Sequence, residues 1–287
     1  MASDKSAQDN LIHVLEKIGH ALLEWQEGRG RMGHWKGTQF KAAADQLAHE
    51  RLTRDLTALF PGIPIVSEED VRSQSIERPD CYWIIDPLDG TASYVGGYRG
   101  FVCQAALMDP SGPCLAAVVA PALELRYSAQ RGIGAWLNGQ RLRVTSEWRG
   151  ILIDNYPEPC GIATELYRDM DFRNYIESGS IGLKICRVAE GVADVFFKDV
   201  VVRDWDLAAP SLVLTEAGGV ISDVTGRPIH YHGLYEKHGL IAAHSDETLN
   251  QVANWYAGRD GKRTKCVPCS TIRSSHHEGY GDCRPSR

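Results

Sequence analysis

The stretch Asp86-Pro87-Leu88-Asp89-Gly90-Thr91 sets two carboxylates three positions apart around a rigid proline, directly after the apolar run Tyr82-Trp83-Ile84-Ile85. Pro87 fixes one backbone torsion, so the pair holds a set geometry. It closes a strand, and strand ends are where side chains from several segments can converge. Two acids held close together repel, and one takes up a proton unless a cation lies between them. Hard oxygen ligands at short spacing suit Mg²⁺ or Mn²⁺. Gly90 permits close backbone approach, and a helix starting at Thr91 would offer free N–H groups to an oxyanion such as phosphate. The chemistry implied is a cation held beside a phosphate group. An Asp-rich turn with a helix cap uses the same residue types, so the stretch alone leaves both readings open.

Two further acidic groups bear on that choice. Glu68 and Glu69 follow a short strand expected over 63–66, though a Glu-Glu-Asp run is commonly a solvated loop. Asp204-Trp205-Asp206 precedes Leu-Ala-Ala-Pro210. A proline is tolerated only near a first helical turn, which starts the helix at or just before Asp206. Asp206 is then an N-cap or first-turn carboxylate, and for an isolated Asp capping is the simplest duty.

The elements that must position these groups can be read from periodicity. Leu11, Val14, Leu15, Ile18, Leu22 and Trp25 predict an amphipathic helix over 7–26, and Ala44, Ala48, Leu52, Leu56 and Leu59 a second over 43–59, stopped by Pro61-Gly62. From Tyr82 to Thr145 short apolar runs alternate with turns such as Asn138-Gly139, which predicts an antiparallel sheet with hairpins. After Gly150 strands (151–154, 175–178, 193–197, 219–223, 239–243) alternate with helices (161–170, 181–190, 206–217, 246–257), the mark of an α/β unit. The organisation expected is therefore an N-terminal part over 1–147, an α/β part over 148–258, and a disordered tail over 259–287. That tail holds Cys266, Cys269, His276, His277 and Cys283, but with one C-x-x-C and no standard spacing a zinc site is not the reading adopted.

Bulk properties exclude several classes. The chain has 287 residues, a formal charge of -6, 43% apolar and 24% charged residues, as for an ordinary soluble globular protein. Its acidic balance argues against nucleic-acid binding, no apolar run is long enough for a bilayer, and Met1 to Asn10 has no signal-peptide core. The expected location is the cytoplasm, with Cys81, Cys103, Cys114, Cys160 and Cys186 as reduced thiols.

Taken together, an acidic pair after a strand, then DPLDGT, then WDLAA resembles the inositol monophosphatase superfamily of magnesium-dependent, lithium-sensitive phosphatases. This includes the 3'(2'),5'-bisphosphate nucleotidases. The resemblance covers roughly residues 8 to 257, with further matches at Ala44-Asp45, at Gly132, Gly134, Asn138 and Gly139, and at Glu216 to Gly219. It implies a layered α-β-α-β-α sandwich of mixed α/β (α+β) class. It also implies hydrolysis of a small phosphorylated metabolite by metal-activated water, commonly in a homodimer. Glu68, Asp86, Asp89, Asp206 and the carbonyl of Leu88 match its metal ligands. Glu68 and Thr91 match the pair that activates water, with Asp45 the upstream acid. Asp89, Gly90, Thr91, Ser180 and Asp199 match positions facing the substrate.

One position departs from the pattern: the threonine usual three residues before Asp45 is Ala42 here, so a hydroxyl expected to support that acid is missing. The segment from Gly179 to Gly191 is closer to bacterial bisphosphate nucleotidases, whereas Asp199 stands where inositol monophosphatases bind a ring hydroxyl. The substrates implied are therefore inositol monophosphate or a bisphosphate nucleotide. Histidinol phosphate, fructose 1,6-bisphosphate, NADP and a non-catalytic regulatory role are alternatives.

Overall fold

Alternation along single strands divides the core into layers. The computed structural model describes residues 5–27, 32–36, 39–75, 77–145 and 147–259. Helices α1 (Lys5–Gln26) and α2 (Ala43–Leu59) are joined through a hairpin, β1 (Gly33–Lys36) and β2 (Gln39–Ala42). Then come β3 (Ile65–Ser67), β4 (Tyr82–Asp89), the short helix α3 (Thr91–Val95), β5 (Val102–Asp109), β6 (Gly112–Ala120), β7 (Leu125–Gln130), β8 (Gly134–Leu137) and β9 (Gln140–Leu142). Strands β3 to β9 form a seven-stranded sheet in sequence order, antiparallel except for the parallel β3–β4 pair. In β4, Trp83 and Ile85 pack with Leu11, Leu15, Leu52 and Leu56 of α1 and α2, while Tyr82 and Ile84 face the other way. This is the period-two reading of a strand buried on both faces.

The second part holds β10 (Ile151–Asp154), α4 (Ile162–Asp169), β11 (Asn174–Glu177), α5 (Ile181–Ala189), β12 (Val195–Arg203), α6 (Asp204–Glu216), β13 (Val220–Ser222), β14 (Glu236–Ala243) and α7 (Asp246–Ala257). Its five-stranded sheet runs β11-β10-β12-β14-β13, parallel over the first three strands and antiparallel at β14. Phe196, Leu240 and Ala242 share a core with Leu183, Ile185, Leu207 and Val213 of α5 and α6 and with Ile84 and Val118 of the first sheet. Val195, Phe197, Ile241 and Ala243 pack on Leu166, Leu249 and Val252 of α4 and α7. The stack is thus α1/α2, seven strands, α5/α6, five strands, α4/α7, the layered sandwich the resemblance implied. Cys81, Cys103, Cys114 and Cys186 are free thiols. Among the described residues no helix is long and apolar enough to cross a membrane.

Differences from the expected elements have local causes. The β1–β2 hairpin has no apolar alternation to announce it. Strand β12 reaches Arg203, well past 197, because it continues beyond a bulge between Lys198 and Val201 against β14. Helix α6 begins at Asp204, and Pro210 lies inside it rather than in the first turn. Having no N–H, Pro210 leaves the carbonyl of Asp206 without its usual helical donor. The tail with Cys266 and Cys269 lies outside the described residues.

Candidate active site

The site begins where β4 stops pairing regularly. Asp86 pairs with Gln104 of β5 and Asp89 with Val102, and the register shifts between them. Pro87, which cannot donate to a ladder, falls in that irregularity. Asp86 continues the even-numbered face of β4 toward α5 and α6. One of its oxygens accepts the Leu88 N–H at 3.1 Å. Gly90 follows in the left-handed region at φ 89°, a conformation costly for other residues. A Cβ on it would also lie 2.9 Å from that of Ser180.

Three carboxylates converge here. Glu68 follows β3, whose parallel pairing places it beside the end of β4. Asp206 is the third residue of α6, and one oxygen accepts the Arg203 N–H at 2.8 Å, the carboxylate half of a capping box. Glu68, Asp86 and Asp206 offer oxygens that all lie within 4.8 Å of one another. An octahedral Mg²⁺ with bonds of about 2.1 Å keeps its ligand oxygens within about 4.2 Å, so this all-oxygen donor set fits a hard divalent cation with little movement. Burial and the like charges of Asp89 and Glu68 push the Asp206 carboxyl well above the usual range.

Asp89 is held from the other side. Its Oδ2 accepts the Gly182 N–H at 2.6 Å, from the first turn of α5. Burial raises it to about 6, against the Gly182 amide, Lys184 and the Ser180 hydroxyl, which favour the ionised form; Glu68 adds to the rise. A Cβ on Gly182 would lie 3.0 Å from Asp89 Oδ2 and 2.3 Å from Gln104 Oε1. Ser180 caps α5 by accepting the Leu183 N–H at 3.1 Å, and its own N–H donates to the Gly100 carbonyl at 2.7 Å. Gly179 and Gly100 meet so closely that a Cβ on Gly179 would lie 1.7 Å from the Gly100 oxygen. This backbone contact locks α5 to the loop after α3.

Thr91 and Asp45 form the third part. The Thr91 hydroxyl donates to Asp45 Oδ1 at 3.0 Å, with the Leu88 carbonyl at 3.3 Å as a second acceptor. Asp45 Oδ2 accepts the Ala42 N–H at 2.5 Å. Asp45 is thus the third residue of α2, bonded back to its N-cap as Asp206 is in α6. The hydroxyl missing at Ala42 is answered by that residue's own amide.

Of the residues expected at the site, Glu68, Asp86 and Asp206 meet, Asp89 borders them through Glu68 and Gly182, and Asp45, Leu88, Gly90 and Thr91 are linked through Thr91. Ser180 reaches the group as the cap of α5. Asp199 has a partner of its own, His238 Nε2 at 2.8 Å, and is not in the carboxylate cluster. Gln104 and Gly182 carry no sequence signal for their parts, since both act through contacts between distant segments. Lys184 is wholly buried; its amine donates to the Gly179 carbonyl at 2.8 Å and lies 3.7 Å from Asp154. Burial lowers it to about 7, against the attraction of Asp154. Lys198 binds the same Asp154 at 2.7 Å, its amine 5.7 Å from the Tyr156 ring.

Residues 4–256 match the inositol monophosphatase family. The 3'(2'),5'-bisphosphate nucleotidase CysQ of Escherichia coli K12 is 32% identical over 234 residues, 78% of this chain and 93% of that one. The fructose-1,6-bisphosphatase/inositol-1-monophosphatase of Thermotoga maritima is 31% identical over 269 residues, 88% of this chain and 98% of that one. Among solved structures, a Thermotoga maritima IMPase superposes with a TM-score of 0.74 at 26% identity, covering 88% of this chain and 99% of that one.

Proposed function

The chain belongs to the inositol monophosphatase family and is a phosphatase, and we propose that it hydrolyses a 3'(2'),5'-bisphosphate nucleotide with Mg²⁺, for which Mn²⁺ can substitute. The observation that carries the metal reading is the meeting of Glu68, Asp86 and Asp206. The Leu88 carbonyl and Asp89 complete the proposed ligand set. Bound there, Mg²⁺ supplies charge neutralisation for the phosphoryl oxygens and acidifies a water. Glu68 accepts the proton of the attacking water. The Thr91 hydroxyl commits its hydrogen to Asp45, so its lone pairs remain to orient that water. The backbone of Gly90 and Thr91, at the start of α3, holds the phosphate.

The nucleotide reading is supported by the cationic corner beside Ser180. Lys184 and Lys198 share Asp154, and the Lys198 side chain keeps 18% of its surface exposed near Tyr156. A second phosphate finds a cation there, and an aromatic ring suits a base. Inositol monophosphate is the second reading. It rests on Asp199, an acceptor for ring hydroxyls that first has to leave His238. We infer a cytoplasmic homodimer, following the habit of the family. The test is phosphate release with Mg²⁺ from 3'-phosphoadenosine 5'-phosphate, inositol 1-phosphate, histidinol phosphate, fructose 1,6-bisphosphate and NADP. The bisphosphate nucleotide should give the largest kcat/KM, and a larger value for any other substrate overturns the assignment.

A further inference from the structure

Glu68 and Asp206 belong to elements that share no strand pairing and no turn, yet their oxygens must keep a fixed separation. A continuous set of contacts joins them. On the Glu68 side, the Gln74 amide donates to the carbonyls of Ser67 at 2.9 Å and Glu68 at 3.2 Å, and the Ser73 hydroxyl accepts the Ser67 N–H at 3.0 Å. The next carbonyl, Ser75, accepts the hydroxyl of Tyr235 at 3.0 Å. The Tyr235 ring lies 4.0 Å from the Arg78 guanidinium and 5.6 Å, centre to centre, from the ring of Trp205, the neighbour of Asp206. Arg78 pairs with Asp204 at 2.6 Å, and Lys237 takes the other oxygen at 3.0 Å. Arg78 also donates to Tyr82 Oη at 3.2 Å, Tyr231 O at 2.9 Å and Gly233 O at 3.0 Å.

Asp204 is fully buried and the Arg78 side chain only 7% exposed. A buried ion pair is weak evidence for stability, because desolvation offsets attraction. What the planar, multiply bonded guanidinium does supply is fixed geometry. We propose that Tyr235, with Arg78, Asp204 and Lys237, is a strut that sets the position of Glu68 relative to Asp206, and that these four are positioning residues for the divalent cation. The inference rests on the metal-dependent reading above.

Titration calorimetry of the full chain with MgCl₂ tests it, on wild type, Tyr235→Phe, Arg78→Met and Arg78→Lys, each with a melting curve. Tyr235→Phe removes one hydrogen bond and keeps the ring, so it is the variant surest to fold. Its Mg²⁺ affinity should fall by about tenfold, the scale of losing a group that orients a ligand. Arg78→Met should lose more, Arg78→Lys should recover part, and kcat at saturating Mg²⁺ should stay close to wild type. Combining Tyr235→Phe with Arg78→Met should cost less than the product of the two losses, because both act on one strut. Unchanged Mg²⁺ affinity in Tyr235→Phe, with or without a lower melting temperature, makes the network purely structural and overturns the proposal. If wild type itself takes up no Mg²⁺, it is the underlying metal reading that fails.

Discussion

Replacing Thr91 by valine keeps its shape and its backbone N–H and removes only the hydroxyl. That hydroxyl makes a hydrogen bond of 3.0 Å to a carboxylate and a weaker one of 3.3 Å to the Leu88 carbonyl. A bond to a charged acceptor contributes about 1.5–3 kcal/mol where fully desolvated. Thr91 is only half-buried, so the expected loss of stability is about 1–2 kcal/mol. The effect on rate should be larger. Losing the group that orients the attacking water costs about a hundredfold, so kcat should fall by about that factor in Thr91→Val and Thr91→Ala. KM should hardly move, since the amide proposed to hold phosphate remains. Thr91→Ser restores the hydroxyl and should recover much of the rate. The assay is steady-state phosphate release at saturating Mg²⁺, with denaturant unfolding of the same variants. A Thr91→Val protein that is less stable yet turns over normally refutes the catalytic role and leaves Thr91 a structural residue between α3 and α2.

Stripping divalent ions with EDTA should abolish activity and MgCl₂ should restore it; full turnover in metal-free enzyme contradicts the reaction proposed. Asp89→Asn removes a charge from the proposed ligand set and should nearly abolish turnover while raising the melting temperature in EDTA, because it relieves repulsion from Glu68 and Asp206. Near-normal turnover at saturating Mg²⁺ makes Asp89 a turn residue. Gly179→Ala drives a Cβ to 1.7 Å from the Gly100 oxygen, and overpacking of backbone on backbone should cost about 3 kcal/mol or more. An unchanged denaturant midpoint would show that the loop yields and that α5 is not locked there.

The acids that meet at the site were legible because each follows a strand end or opens a helix, and the boundaries around β4 are written locally in apolar runs, Pro87 and Gly90, whereas Pro210 lies inside α6 and does not mark its start. Periodicity likewise exposed α1, α2 and the hairpin sheet, whereas the layering came from the resemblance, since the unbroken apolar run Tyr82 to Ile85 does not show which residues face which layer. What stayed hidden depends on distant approach. Ala42 read as a loss of support for Asp45, yet the support comes from its amide once α2 begins at Ala43. Gly182 donates to Asp89 only because two sheets bring α5 against β4. Asp199 meets His238 at a bulge in the β12–β14 pairing, between Lys198 and Val201, and no short pattern announces that bulge.

The three converging carboxylates are unevenly spaced along the chain: Glu68 and Asp86 come early and Asp206 late. N-terminal segments tend to fold first as a polypeptide leaves the ribosome. A nascent molecule can therefore shape β4 and present its two early acids while the seat for the ion is still one ligand short. Only after α6 has emerged can the three acids meet, so on the proposed mechanism a chain that stops before it should lack hydrolytic power. On the metal reading proposed above, an ion held by all three would staple early and late parts together, and the supply of divalent cations would become a term in the lifetime of the finished protein.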